Sequence, residues 1–182
     1  MRVIHFNGRD FEVPEGRIAI DTAAIHADEP NLNGDLIPYS ELEKAAPQYI
    51  GCQNVYIDHV TPEEELGWGM TVQRDVESRG EVLDAYCDPE DRCLYLLISI
   101  DSSFAELGDA ILSASMNAVS FGADADIECP ICGKSDCRHI DMRGTDGNYD
   151  ILKNLEFREI SIVFDPADPL ALFRQAVEGS GE

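Results

Sequence analysis

Short runs of alternating apolar and polar positions dominate the chain, and helical periodicity is confined to a few stretches. Arg17 to Ile25 alternates, with Ile18, Ile20, Thr22 and Ala24 on one face, the period of a strand. Asn54–Asp58, Leu66–Val76, Glu81–Tyr86, Arg92–Ile100, Met116–Ala123 and Leu155–Phe164 read as further strands. Turn residues separate them, notably Ser78-Arg-Gly80 and Asp88-Pro-Glu-Asp91. Three helices are predicted. Ser40 with Glu43 forms a capping box ahead of Leu42, Ala45 and Ala46, and Pro47 stops that helix. Ser103 with Glu106 forms a second, with Phe104, Leu107 and Ile111 on one face. Asp168 as N-cap and Pro169 at the first position open a third, Leu170–Val177. Six or seven strands joined by short links, with three helices, predict an α+β fold: a mostly antiparallel β-barrel with helices on its outside.

Composition narrows the function. The 182 residues are 44% hydrophobic, enough for one cored domain spanning 1–182. Thirteen Lys and Arg against 36 Asp and Glu give a formal net charge of −23. Such a surface repels phosphate backbones and anionic membranes, so neither nucleic acid nor membrane is expected as a partner. No apolar run approaches the roughly 20 residues a membrane helix needs. Met1 to Gly8 is polar, unlike a signal peptide, so a soluble protein working in a cytosol is expected.

Six cysteines change the picture locally. Cys52, Cys87 and Cys93 are scattered and read as small buried hydrophobes. Cys129, Cys132, Cys137 and His139 form Cys-x2-Cys-x4-Cys-x-His, with Gly133 after the second cysteine. Gly there lets the backbone curl so that its N–H groups face the thiolates. Three thiolates and an imidazole fill a tetrahedral shell, so a structural Zn2+ is expected, in an insertion over 124–150. The tight Cys-x-His spacing that brings in His139 is less common than Cys-x2-Cys.

Two segments offer acyl-transfer chemistry. Tyr56-Ile-Asp58-His59 ends a strand, and Ala118-Val-Ser120-Phe-Gly122 carries a serine within one. A nucleophilic serine needs an imidazole within reach and a third polar group to orient it. Spacing alone leaves the bland reading in front: a half-buried serine and a polar turn. His5 and His26 read as isolated surface residues, Glu63–Glu65 as a solvated loop, and Trp68 as core packing.

The order of several blocks resembles the prohead (head maturation) serine proteases of tailed bacteriophages, in the large-myophage version with a zinc-knuckle insertion. The blocks are Asn31-Leu-Asn-Gly-Asp-Leu-Ile-Pro38, Tyr56-Ile-Asp58-His59, Gly67-Trp-Gly69, Val119-Ser120-Phe-Gly122, Arg158-Glu159-Ile-Ser161-Ile-Val163 and Asp165-Pro-Ala-Asp-Pro169. The resemblance runs from about Arg17 to Ala171. The resemblance implies a herpesvirus assemblin-like barrel and a serine endopeptidase that processes capsid and scaffold or core proteins inside the immature head, in the host cytoplasm. Ser120 would be the nucleophile and His59 the base. Glu159 would be the third member, with Asp58 or another acid as the alternative. Glu159 shares strand parity with Leu155, Phe157 and Val163, so a buried structural carboxylate is the competing reading. The major capsid protein and the scaffold would be its partners, and a homo-oligomer fits equally. The alternatives are a catalytically inactive protease-fold component of the head, and an acidic zinc-stabilised interaction module.

Overall fold

A computed structural model describes residues 2–65, 71–73, 75–139 and 149–181. In chain order the elements are β1 (Arg2–Phe6), β2 (Arg9–Val13), β3 (Arg17–His26), β4 (Asp35–Leu36), α1 (Tyr39–Ala45) running into a 3-10 turn (Ala46–Tyr49), and β5 (Val55–Ile57). There follow β6 (Glu63–Glu65), β7 (Thr71–Gln73), β8 (Gly80–Asp88), β9 (Cys93–Asp101), α2 (Ala105–Leu112), β10 (Ala118–Glu128), β11 (Asp150–Val163) and β12 (Phe173–Glu178). The fold is mixed α+β and mostly strand, as expected.

The predicted barrel is not closed. The ladders among the described residues form two four-stranded sheets and two hairpins. One sheet runs β12-β3-β9-β8, antiparallel throughout. The other is built on β11, which pairs antiparallel with β10 and parallel with β4 and β5 near its two ends. The sheets meet at their edges through a few main-chain hydrogen bonds. On one side Leu172 bridges to Ala118 and accepts from Ala23 N–H. On the other, Val82 N–H donates to Cys52 O and Arg79 N–H to Val55 O.

The main core fills the space between the sheets, with Ile18, Ile20, Leu94, Leu96, Ile98, Val119, Ile160 and Ile162 facing Leu42, Tyr49, Leu107 and Ile111 from the helices. A second core lies on the opposite face of β3 and β9, where the β1–β2 hairpin packs Ile4, Phe6 and Val13 against Ala19, Ala23, Tyr95 and Leu97. This explains why β3 and β9 are buried on both faces and not on the single alternating face expected for β3. Asn7 and Gly8, both at positive φ, make the tight turn of that hairpin.

Three helix expectations change. Ser40 lies inside α1, whose N-cap is Pro38, and neither α1 nor α2 has a side-chain cap. α1 does end ahead of Pro47, at Ala45, and the chain continues as a 3-10 segment whose first turn suits the proline. The third helix is absent: Phe173–Glu178 is β12, on the edge of β3. The Asp168 carboxylate accepts from Leu170 N–H as a helix cap would, but its other oxygen is taken by His26. Arg174 closes a two-pronged contact on the buried Asp21, which holds the segment flat against β3. Tertiary pairing here overrides a cap signal. Glu63–Glu65 is likewise a strand, β6, paired with β7. Gly67-Trp68-Gly69 lies outside the described residues, as does much of the strand expected over 66–76.

His26 is not an isolated surface residue. Its main-chain N–H donates to Asp168 Oδ2 at 2.9 Å, and its Nδ1 lies 2.8 Å from the same oxygen. The carboxylate, helped by Cys93, lifts the imidazole from 6.5 to about 10 against the opposing effect of burial. A folded-state value above the unfolded one means that this pair stabilises fully below pH 6.5 and stops doing so as pH rises through about 10. Urea unfolding followed across that window should show stability declining in the wild type, and His26→Gln should flatten the decline. Parallel wild-type and variant curves would exclude the pair as its source.

Candidate functional site

β11 supplies the centre of the site. The β10–β11 register sets Ser120 opposite Ser161 and Gly122 opposite Glu159. Side chains directly opposite on a sheet share a face, with Cβ atoms about 4.5–5.5 Å apart. Val119, Ile160 and Ile162 point into the core, so Ser120, Ser161 and Glu159 stand on the other face. β5 lies on the far side of β11, with Tyr56 beside Ser161, and it ends at the turn that carries His59.

Glu159 does not share a face with Leu155 and Phe157, for a specific reason. The register slips between Gly122 and Ala123, so Gly122 faces Glu159 while Ala123 faces Phe157. Arg158 is the extra residue of this bulge, and a bulge reverses which face the following residues occupy. Leu155 and Phe157 therefore join the main core, while Glu159 turns to the His59 side.

Glu159 is 5% exposed. A carboxylate that deep must be hydrogen-bonded. Its Oε1 lies 2.6 Å from His59 Nδ1, and its Oε2 accepts from Ser161 Oγ at 2.6 Å. Ser161 Oγ in turn accepts from the main-chain N–H of His59 at 3.2 Å. That N–H is presented by a turn in which Asp58 and His59 both have positive φ, at 49° and 58°. Two successive non-glycine residues in the left-handed region store strain that the surroundings must offset. Here the offset comes from Asp58 N–H to Ile162 O, Val60 N–H to Ile57 O, and the Ser161 contact.

Room for the carboxylate comes from Gly122. A Cβ there would stand 2.6 Å from Glu159 Oε1. Glu159 raises the pKa of the His59 imidazole, the hydrogen bond outweighing partial burial, and Asp58 adds to it. With Nδ1 held by the carboxylate, Nε2 is the nitrogen that can exchange a proton with another group. Of the two facing serines, Ser161 is fully buried and commits its hydroxyl proton to Glu159, whereas Ser120 is half-buried. Beside Glu159 opens a cleft of about 630 Å³, lined by Asn54, Tyr56, Thr61, Pro62, Asp124 and Arg158. Arg158 and Asp124 are ion-paired across it.

The structure thus brings His59 and Glu159 into contact and sets Ser120 on the position facing their shared partner. Asp58, the alternative third member, is exposed in the turn. Sequence reasoning quoted Ser161 without giving it a role, although its spacing of two from Glu159 signals a shared strand face.

The cysteine cluster is a separate centre. Cys129, Cys132, Cys137 and His139 place one ligand atom each within 4.8 Å of one another. Cys129 Sγ and Cys137 Sγ are each 3.7 Å from His139 Nδ1. Ligands of one tetrahedral zinc, bonded at about 2.0–2.3 Å, stand about 3.5–3.8 Å apart, so the set can hold a metal ion such as zinc through Nδ1. Gly133, at φ 69°, closes the knuckle by donating to Cys129 O, and Ile131 N–H points at Cys129 Sγ. Burial works against ionising Cys129, but N–H groups of Cys132 and Ile131 and the neighbouring thiols outweigh it and bring the thiol to about 6. Residues 124–128 of the expected insertion continue β10, and the connection proper begins at Cys129. Nine steps along the chain lead from Ser120 to Cys129, roughly 30 Å at about 3.3 Å each, so the metal set cannot touch the serine. Of the scattered cysteines Cys93 is buried as expected, while Cys52 and Cys87 are only partly so.

Comparison with protein-family models, curated proteins and solved structures finds no match.

Gly122→Ala should push Glu159 off His59. Overpacking of this kind costs about 1–3 kcal/mol, readable by urea unfolding. The His59 ring should titrate closer to its ordinary 6.5, readable by NMR. A variant with unchanged stability and unchanged His59 titration would show that the glycine makes no room for the carboxylate.

Proposed function

We propose that the chain is a serine endopeptidase of the prohead-protease kind, with Ser120 as nucleophile, His59 as general base and Glu159 as the residue that orients His59. The observation that carries this reading is the contact between His59 Nδ1 and the buried Glu159, on the sheet face that Ser120 shares. A buried acid that fixes the tautomer of an imidazole, on a sheet face that also carries a half-buried serine, supplies the groups acyl transfer requires. The order of blocks along the sequence supports the same reading.

The chemistry follows from the atoms. His59 Nε2 takes the proton of Ser120 Oγ while the oxygen attacks the scissile carbonyl carbon. The resulting imidazolium is stabilised by Glu159. It returns the proton to the leaving amine as the peptide C–N bond breaks, leaving Ser120 acylated. Water, deprotonated by His59, then releases the acid and restores the serine. The substrates of this reading are capsid and scaffold or core proteins of a phage head, cleaved within the immature shell.

Zn2+ in the Cys129, Cys132, Cys137 and His139 shell completes the proposal. Four protein ligands leave no open position, so its contribution is to fold the connection between β10 and β11.

Ser120→Ala and His59→Ala should each abolish cleavage of a casein probe and labelling by a fluorophosphonate, while circular dichroism stays that of the folded protein. A Ser120→Ala protein that still cleaves would overturn the assignment. Because the base must be neutral and Glu159 raises its pKa, activity should increase with pH along a limb centred above 6.5. A limb centred below that value would exclude His59 as the base in its contact with Glu159.

Purified protein should carry one zinc per chain by elemental analysis. Cys129→Ser should lose it and lower the melting temperature. Full metal content in that variant would show that the four residues are not the binding shell.

A further inference from the structure

Ser161 is fully buried, carries one hydroxyl and makes two contacts with it, both to groups of the proposed protease site. Its proton goes to Glu159 Oε2 and its oxygen accepts from the N–H of His59, whose ring in turn reaches Glu159 Oε1. These three hydrogen bonds form a closed ring. One histidine is held in it twice, by its side chain through the carboxylate and by its main chain through the serine. The first contact sets which way the imidazole faces. The second sets where the residue sits, in a turn whose two left-handed residues would otherwise relax.

We propose that Ser161 is a positioning residue for the acyl-transfer chemistry, holding the Glu159 carboxylate and the His59 turn in one fixed relation to Ser120. The inference rests on the protease reading and deepens it. Ser161 itself does not attack substrate, because its hydroxyl proton is committed to Glu159 and none of its surface is exposed. Ser120, directly across the ladder, is the accessible member of the pair. Ser161 therefore acts through His59 and Glu159.

A role limited to filling space predicts something different. Ser161→Ala would then cost only a small cavity, and Ser161→Cys, of similar volume but a much weaker donor, would cost less. If Ser161 positions the site, both variants remain folded and both lose the same function. Misplacement by about 1 Å is worth up to about 100-fold in rate.

The test measures wild type, Ser161→Ala, Ser161→Cys and Ser120→Ala in parallel. The first readout is the rate of fluorophosphonate labelling at Ser120, and the second is the NMR titration of the His59 ring. Labelling should fall about 10- to 100-fold in both Ser161 variants. The His59 midpoint should move from its raised value toward 6.5, with Asp58 and Glu159 still present as its charged neighbours. Normal labelling together with an unchanged His59 midpoint would overturn the role of Ser161 and leave the protease reading standing. If the wild type is not labelled at Ser120, the protease reading falls. The His59 midpoint then decides alone: a shift in both variants keeps Ser161 as the residue that fixes the imidazole, and no shift removes it.

Discussion

A carboxylate taken out of water must be given partners, and the buried Glu159 is the constraint around which this end of the fold is arranged. Its two oxygens are answered by His59 and Ser161, so β5 has to deliver its turn to one side of β11. Its bulk has to fit beside β10, which requires Gly122. Its direction has to oppose the core, which requires the bulge at Arg158. Each of these is a departure from regular structure: two left-handed residues, a strand glycine and a register slip. Together they serve one side chain. Local rules broken in concert around a single group mark function more often than packing.

The β10–β11 hairpin carries this group at one end and the cysteine cluster at the other. The connection between these strands has little apolar surface: among its described residues Cys129 is the buried one, and Ile131 is 61% exposed. Four ligands on one ion would supply cohesion that the hydrophobic effect cannot supply there. The serine end is instead held by packing, through Val119, Ile160 and Ile162 in the main core. Two modes of stabilisation thus meet on one pair of strands, and the site lies on the packed half.

What could be read from the chain divides by range. The metal set was legible because its four ligands lie within eleven residues and the spacing itself encodes the geometry. Most strands of the two sheets were legible from alternation. The β1–β2 hairpin was not seen, although Asn7-Gly8 between two alternating runs is a strong local turn signal. β12 was read as a helix because Asp168-Pro169 imitates a helix start, and the competing partners, His26 and Asp21, lie more than 140 positions earlier. The competing reading of Glu159 grouped it with Leu155 and Phe157 because strict period-two counting cannot anticipate a bulge, though the burial it implied is observed. The role of Ser161 depends on a turn about 100 positions away and is visible only once β5 is laid beside β11.

The charge of −23 acquires a structural meaning from the ion pairs. Arg9 is spent on Asp84, Arg17 on Glu81, Arg92 on Asp28, Arg158 on Asp124 and Arg174 on Asp21, while Lys44 and Lys153 answer Glu41 and Glu128. These pairs are spread over both sheets, α1 and the N-terminal hairpin. Arg9 and Arg174 neutralise buried aspartates, which would be costly to leave alone. Among the described residues, these seven Lys and Arg side chains are thus engaged in local ion pairs. Cations paired in this way contribute less to attracting a polyanion at long range. On the proposed reading, recognition at the cleft beside Glu159 would draw on shape, hydrogen bonding and short-range contacts with groups such as Asn54, Tyr56 and the Arg158–Asp124 pair. The surrounding field of a net charge of −23 would at the same time repel other anionic surfaces.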